Sequence, residues 1–554
     1  MPPRVFSSRF IAWFLVLSSA ALAPSVLGQD KDDRSHSVPT PDAQVEALKA
    51  AAVAGVESRR VMTQQMVDMI FSFSELGFQE FETQRYVTDI LEREGFSVAR
   101  GIADIPSAWV AKWGAGRPVI ALGADVDGVP ATNQKPGVLM RDELVPGTPG
   151  HGEGHNAGQA LIVTAALAVK EVMEREGLPG TIVLWPGIAE EQLGAKAYFV
   201  RSGVFEGIDA VLYTHVSDNL STGWGAGRGN GLVSVEYMFR GESSHAAGSP
   251  WSGRSALDAV ELMNIGWNFR REHLRLAQRS HYVITEGGDQ PNVVPPHASV
   301  WYFFREASFE RIKQMWDFGN TMADAAAMMT GTTVTSRVLG SAYPQHANRP
   351  FAEATFANIQ KVGMPMWTEA DQQFARAFQL ARGAEVNGLR TEVPVTLSGR
   401  EMIPENEQLG GGSDDIGDIM WTVPTVTLRF PSNIPGATGH NWTSAVAMAT
   451  PVAHKGATQG AKVHAMTPLD LMTRPELLEA AQQYFTNVQG KQRTYEPLIR
   501  PQDRPAVWLN EDIMDTFKPE LEQHYYDPTR YRSYLEQLNI TYPPPMSPPP
   551  DGQP

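Results

Sequence analysis

The sequence predicts an α/β fold: a main domain on a mostly parallel central sheet, interrupted by a ferredoxin-like β-α-β-β-α-β domain. Two observations carry this. Three apolar runs of strand length, Pro118–Gly123, Thr181–Trp185 and Asp209–His215, are interleaved with longer helical stretches, the signature of strands buried on both faces. The texture then changes. From Gly231 the pattern alternates, and strand, helix, two strands, helix and strand follow in order to Leu339 before long helical segments resume.

At 554 residues the chain is too long for one ordinary core, so two domains with appendages are expected. Its 42% hydrophobic and 19% charged residues are globular values. A net charge of −16 with no basic stripe argues against a nucleic-acid partner. The absence of cysteine removes thiol catalysis and cysteine-ligated zinc. Arg4 and Arg9, the apolar run Phe10–Ala23 and the small-residue site ending at Gly28 predict a cleavable signal over residues 1–28. The mature protein is then expected to be secreted or periplasmic, with no integral span. A polar linker, 29–42, follows.

Helical periodicity runs from Ala43 to Ile70 and from Glu80 to Glu94. The turn between them, Ser74–Glu80, has acids at both ends, and Glu80 is expected to favour the N-terminus of its helix. The first apolar strand leads into Asp125-Val126-Asp127, just where open α/β sheets collect ligand-handling residues. Two aspartates there suit a cation, or the orientation of one of its histidine ligands. Helix capping and turn formation account for single aspartates equally well.

The loop His151-Gly152-Glu153-Gly154-His155-Asn156 places two imidazoles and a carboxylate within five residues. Its glycines let short polar side chains converge, and the mixture suits zinc, manganese or cobalt. Ala157–Arg175, apolar on nearly every face, should be a central helix holding that loop rigidly. The second strand ends in Glu190-Glu191, adjacent acids that repel unless a cation or proton lies between them, and the third ends in His215. Three strand ends and one loop thus deliver acids and histidines to one edge.

The inserted domain spans strand Gly231–Arg240, helix Gly253–Leu276, strands His281–Glu286 and Ala298–Arg305, helix Ser308–Met329 and strand Thr332–Leu339. Hinges are expected near Gly229–Gly231 and Ala342–Asn348. Helices Phe351–Val362 and Ala370–Arg382 follow, then a flexible polar loop Gly410–Asp415, strand Pro424–Phe430 and a glycine-bounded loop carrying His440. Helices Ser444–His464 and Leu469–Phe485 come next. Beyond Gln489 the chain is rich in proline and tyrosine, and Tyr542–Pro554 has the composition of a segment that forms no core.

These motifs resemble the dinuclear-metal amidohydrolases that include aminoacylases, hippurate and auxin-conjugate hydrolases and glutamate carboxypeptidases, with the aminobenzoyl-glutamate hydrolases most similar. The matching residues are Glu75-Leu76-Gly77 with Glu80, Asp125-Val126-Asp127, the loop to Asn156, Glu190-Glu191, His215, Gly241–Ala247, Arg271-Glu272-His273, Gly287 to Pro295, Gly412–Asp415 and His440. The resemblance implies that Glu153, His155, Glu191, His215 and His440 bind two divalent ions per subunit, manganese or zinc, with cobalt possible. It implies Glu190 as general base towards a metal-activated water, Asp127 as a residue orienting a ligand, and His245 as a donor to the oxyanion across a dimer. Asn292 and Arg305 would meet the substrate's carboxylate. Glu153 departs from the pattern, since these relatives carry cysteine or aspartate there; a longer carboxylate alters the bridge and tilts preference towards manganese.

The expected organisation is signal peptide 1–28, linker 29–42, catalytic domain 43–230 and 342–489, lid and dimerisation domain 231–341, and C-terminal extension 490–554. The expected function is hydrolysis of the amide bond of N-acyl amino acids or related carboxylate-bearing conjugates, by a homodimer joined through its lids. The alternatives are a non-catalytic binder of peptides or acyl-amino acids on the same fold, and a metallo-carboxypeptidase acting on peptides.

Overall fold

The computed structural model describes residues 42–227, 229–404 and 411–545. The expected signal peptide and all but the last residue of the linker lie outside the described residues. No described helix is long and apolar enough to cross a membrane.

Among the described residues, thirteen strands form two sheets. In chain order they are β1 (Ser97–Arg100), β2 (Trp109–Ala115), β3 (Val119–Asp125), β4 (Gly180–Gly187), β5 (Ala210–Ser217), β6 (Ser221–Ala226), β7 (Gly231–Arg240), β8 (Arg279–Glu286), β9 (His297–Glu306), β10 (Thr333–Ala342), β11 (His346–Ala347), β12 (Ser398–Arg400) and β13 (Thr425–Pro431). The larger sheet has the order β1-β2-β4-β3-β5-β13-β6-β11, with β12 also on β6. Its centre, β4-β3-β5-β13, is parallel, and antiparallel strands flank it on both sides. The smaller sheet, β10-β7-β9-β8, is antiparallel throughout. Helices Ala256–Arg270 and Phe309–Thr330 complete its β-α-β-β-α-β order. The architecture is therefore the expected α/β fold with a ferredoxin-like insertion.

The helix His155–Glu176 is the pivot of the main unit. Every residue from His155 to Val169 is buried, which an amphipathic surface helix never shows. It packs between the central sheet and the helices Asp42–Ser58, Arg60–Phe73 and Pro451–Thr473. Leu161, Ile162 and Val163 are wholly inaccessible to solvent, each contributing roughly 1.5–3 kcal/mol of transfer free energy. Gly154, with φ of 81°, starts the helix; a side chain there would strike the Met448 sulfur. The loop that carries Glu153 and His155 is thus fastened to the most buried element of the fold.

Several boundaries differ from the sequence reading. The expected helix Ala43–Ile70 is two helices, breaking at Arg59, whose guanidinium instead bonds the Gly55 carbonyl and Glu171. The expected division between His464 and Leu469 is absent. One helix runs from Pro451 to Thr473 through Pro468, and the break comes at Arg474, immediately before Pro475.

The C-terminal extension is also more structured than its composition suggests. It includes the helix Glu511–Leu521, buries Ile499, Met514, Tyr526 and Tyr534, and hydrogen-bonds the main unit at buried carboxylates. The Tyr534 N–H donates to Asp68 Oδ2 at 3.0 Å, and the Tyr542 hydroxyl donates to Asp371 Oδ1 at 2.9 Å.

Candidate metal centre

The carboxyl ends of β3, β4 and β5 are neighbours through the ladders Asp125–Gly187 and Ala124–Thr214, so their trailing residues meet at one edge. His155 lies at the centre. Its Nδ1–H donates to the Asp127 backbone carbonyl at 2.9 Å and lies 3.3 Å from Asp127 Oδ1. This fixes the tautomer and leaves Nε2, buried and without a protein hydrogen bond, aimed at Asp125 and Glu190. Asp127 Oδ2 accepts the Glu191 N–H at 3.0 Å, so one carboxylate sets both an imidazole and the turn carrying the two glutamates. A histidine held through one nitrogen by a backbone carbonyl, with a carboxylate beside it and the other nitrogen bare, is the arrangement that orients metal-ligating imidazoles.

His215 is built the same way, its Nδ1–H donating to the Val216 carbonyl at 3.0 Å, and its ring stands nearly perpendicular to that of His155 with centroids 5.6 Å apart. Among the described residues, potential ligand atoms converge within 4.8 Å in three groups: Asp125, His155 and His215; His155, Glu190 and Glu191; and Glu190, Asp414 and Asp415. His440 reaches this cluster through Glu191, with Nε2 3.3 Å from Glu191 Oε2. Glu153 joins it through His440, accepting the His440 N–H at 2.8 Å and lying 3.6 Å from its Nε2. Glu153 is in none of the three convergent groups. His151 is turned away, bonded to the Ile70 carbonyl.

Burial, followed by neighbouring like charges, pushes the Glu190 and Glu191 carboxyls well above the usual range. At His155 burial acts to lower the pKa, but the Asp127 hydrogen bond and the charges of Asp125, Asp127 and Glu191 outweigh it, raising the value to about 10. Burial and the Arg429 charge hold His215 well below its ordinary value. So much buried anionic potential calls for a cation. The donor set of imidazole nitrogens and carboxylate oxygens, with His155 Nε2, Asp127 Oδ1 and Glu191 Oε1 unpartnered, fits a divalent ion of the zinc or manganese kind.

The turn holding Glu190 and Glu191 is conformationally constrained. Ala189 and Leu193, at its two ends, have φ of 49° and 55°, a region that L-residues rarely adopt. Glu80 supports the turn, and here the helix-terminus reading is corrected. Its Oε1 accepts the Ala189 N–H at 2.8 Å and its Oε2 the Ser107 hydroxyl at 2.8 Å. The carboxylate that caps the helix Phe81–Arg93 is Glu75, which accepts the N–H groups of Glu82 and Thr83. Gly77 lets this support lie flush against the turn, because a Cβ there would collide with Gln192 and Ala189.

Four residues to which the sequence reading gave no role complete the site. Lys196 is fully buried, its ammonium bonded to Asp125 Oδ1 at 2.8 Å and also to Asp415. The Tyr213 hydroxyl donates to Asp125 Oδ2. Asp414 and Asp415, expected in a flexible loop, are buried, and Asp414 caps its own turn by accepting the Ile416 N–H at 2.9 Å. A lone lysine in the apolar run Ala195–Phe199 was the available signal. His245, Asn292 and Arg305 lie on the inserted domain. His245 is exposed, with Nδ1 accepting the N–H groups of Ala247 and Gly248, and Asn292 is exposed beside it. Arg305 is half-buried, its Nε lacks a partner, and the Glu190 charge acts on it.

A peptidase dimerisation domain matches residues 229–327, the stretch bearing His245, Asn292 and Arg305. Over 462 residues the chain is 32% identical to one of the subunits of p-aminobenzoyl-glutamate hydrolase from Escherichia coli (strain K12), covering 80% of this chain and 96% of that protein. The chain belongs to the M20 family. A second relative, Xaa-Arg dipeptidase of Homo sapiens, is 26% identical over 456 residues, covering 80% of this chain and 93% of that protein. A solved structure described as an aminohydrolase, from methicillin resistant Staphylococcus aureus, shares the fold with a TM-score of 0.53 at 17% identity, over 76% of this chain and 100% of that one. Membership of the M20 family makes this protein a metal-dependent amidohydrolase or peptidase.

Proposed function

We propose that this enzyme hydrolyses the amide bond of N-acyl amino acids or related carboxylate-bearing conjugates, aminobenzoyl-glutamate-like, hippurate-like or dipeptide. The observation that carries the reading is His155, pinned through Nδ1 by Asp127 and bare at a buried Nε2 among Asp125, Glu190 and Glu191. Glu153, His155, Glu191, His215 and His440 would hold two divalent ions, which when bound would acidify a water and polarise the scissile carbonyl.

The protein's own groups supply the rest. Glu190, with its carboxyl beside the cluster and its pKa raised by burial and then by Asp125 and Asp414, takes the water's proton and returns it to the leaving amine. Such a base contributes about 10²–10⁴-fold. Asp127 keeps His155 and the Glu191 turn in place. His245 is exposed and lies in the matched dimerisation domain. It therefore serves the partner subunit's site, donating from Nε2 to the oxyanion in a homodimer joined through the lids; such a donor is worth roughly 3–4 kcal/mol. Arg305 and Asn292 receive the substrate's carboxylate, for which the planar guanidinium fork is well shaped. The basic and apolar N-terminal pattern supports export of the enzyme from the cytoplasm.

The test is a hydrolysis screen over N-acyl amino acids, varying acyl group and amino acid, with Mn²⁺, Zn²⁺ or Co²⁺ supplied. Release of free amino acid that disappears with chelator supports the reading. Full turnover in Glu190→Gln would refute the mechanism.

A further inference from the structure

The same sheet edge holds a cation that the reading above does not use. In the parallel ladder between β5 and β13, Arg429 pairs with His215 and Thr427 with Tyr213. Residues in register on neighbouring strands share a face. Arg429 therefore stands beside the candidate ligand His215, on the face that also carries Asp125 and Tyr213, whereas Val426, Leu428 and Phe430 point into the opposite core. The Arg429 charge acts on His215, second only to burial.

Two other cations of the main unit are engaged. Arg390 lies 3.3 Å from Asp218, and Lys196 is bonded to Asp125 and Asp415. Arg429 is half-buried, and among the described residues its guanidinium makes no hydrogen bond and no ion pair. The chain has 62 acidic and 46 basic residues, so an intramolecular partner was plentiful in composition. A guanidinium partly removed from water and left unpaired on the wall of a reaction site is a receptor for a planar anion.

We infer that Arg429 receives a second carboxylate of the substrate, distinct from the one that meets Arg305, so that the preferred substrates are dianionic conjugates. The inference rests on the amide-hydrolysing reading of this site and narrows its substrate class. It disfavours conjugates with a basic side chain, which would face Arg429 with like charge. The second carboxylate has two chemical sources, an acidic amino-acid side chain or a dicarboxylic acyl group.

The experiment compares two matched pairs on the full-length, metal-supplied enzyme: N-benzoyl-glutamate against N-benzoyl-glutamine, and N-succinyl-leucine against N-butyryl-leucine. The wild type should favour the dianionic member of one pair by at least about tenfold in kcat/KM, and that pair identifies the source. In Arg429→Gln the ratio should collapse towards one, and Arg429→Lys should restore part of it. A purely structural role for Arg429 would lower both members together and leave the ratio intact. Absence of preference in both pairs, or an unchanged ratio in Arg429→Gln, overturns the inference while leaving the amidohydrolase reading standing. If none of the four compounds is cleaved, calorimetric titration with glutamate and succinate decides: binding lost in Arg429→Gln supports the carboxylate site, and equal binding overturns it.

Discussion

Asp127 offers a sharp test of how the centre is built. Its carboxylate lies 3.3 Å from His155 Nδ1 through one oxygen and accepts the Glu191 N–H through the other at 3.0 Å, while its main-chain carbonyl takes the His155 Nδ1–H at 2.9 Å. Removing the side chain leaves the main-chain bond, so the His155 tautomer survives. What goes is the negative charge that raises imidazole basicity and the anchor of the glutamate turn. Loss of such a supporting carboxylate costs about 10–100-fold in metal affinity, or about 1.4–2.8 kcal/mol. Asp127→Asn, which keeps an acceptor oxygen, should fall at the lower end of that range and Asp127→Ala at the upper. Competition of Mn²⁺ or Zn²⁺ between the protein and a chromophoric chelator measures it directly. An Asp127→Ala variant that binds metal as tightly as the wild type would refute the assignment of His155 as a ligand oriented by Asp127.

Further outcomes follow from the same geometry. Glu190→Gln should reduce turnover by about 10²–10⁴-fold while elemental analysis finds its metal content unchanged. Elemental analysis of the wild-type chain should find two equivalents of divalent metal, and activity should vanish with chelator; a metal-free chain that still hydrolyses would contradict the centre. Tyr534 is wholly buried, so Tyr534→Ala should destabilise the main unit by roughly 3–5 kcal/mol, read as a lower denaturant midpoint; no change would show that the extension is dispensable to the fold. Burial holds His464 at about 3, far below the ~6.5 of an unfolded histidine. A lowered folded value means that the unfolded chain binds the proton first, so this contribution is whole above about pH 6.5 and is lost as pH falls towards 3. His464→Phe should therefore flatten the decline in stability across that window, and an unaltered profile would count against it.

What the sequence disclosed and what it hid have physical causes. β3, β4 and β5 were legible because each is a continuous apolar run, and the inserted domain because its strands alternate. β1 and β2 were missed: β1 is mostly exposed, and the second half of β2 mixes lysine, glycine and alanine, leaving little periodicity. Asp127, His155, Glu190, Glu191 and His215 stood out because they follow strands or a glycine-rich turn. Glu80 and Lys196 did not, because their roles depend on partners 109 and 219 residues away. Asp414 and Asp415 were hidden by their glycine-rich setting, which reads as flexible until a buried ammonium is placed against it. Proline masked the extension in the same way: composition reports how little core a segment forms by itself, not how much of another core it covers.

Lys196 also bears on where metal ions would sit. Three groups of ligand atoms converge at the centre, and the third, Glu190 with Asp414 and Asp415, would look by composition like one more ion site. The Lys196 ammonium already occupies its far side, bonded to Asp415 and to Asp125 and 3.7 Å from Asp414. Tyr213 takes the other oxygen of Asp125. A fixed cation thus offsets the charge of Asp125, Asp414 and Asp415 beside Glu190. Glu191 and Glu153 lie instead where His440 approaches, its Nε2 3.3 Å from Glu191 and 3.6 Å from Glu153. On the proposed mechanism Lys196 would separate the roles of two adjacent glutamates: it offsets the acids around Glu190, the proposed base, while Glu191, the proposed ligand, lies against His440. Both carboxylates arrive on the same three-residue turn, and their different surroundings would separate the proposed base from the proposed ligand.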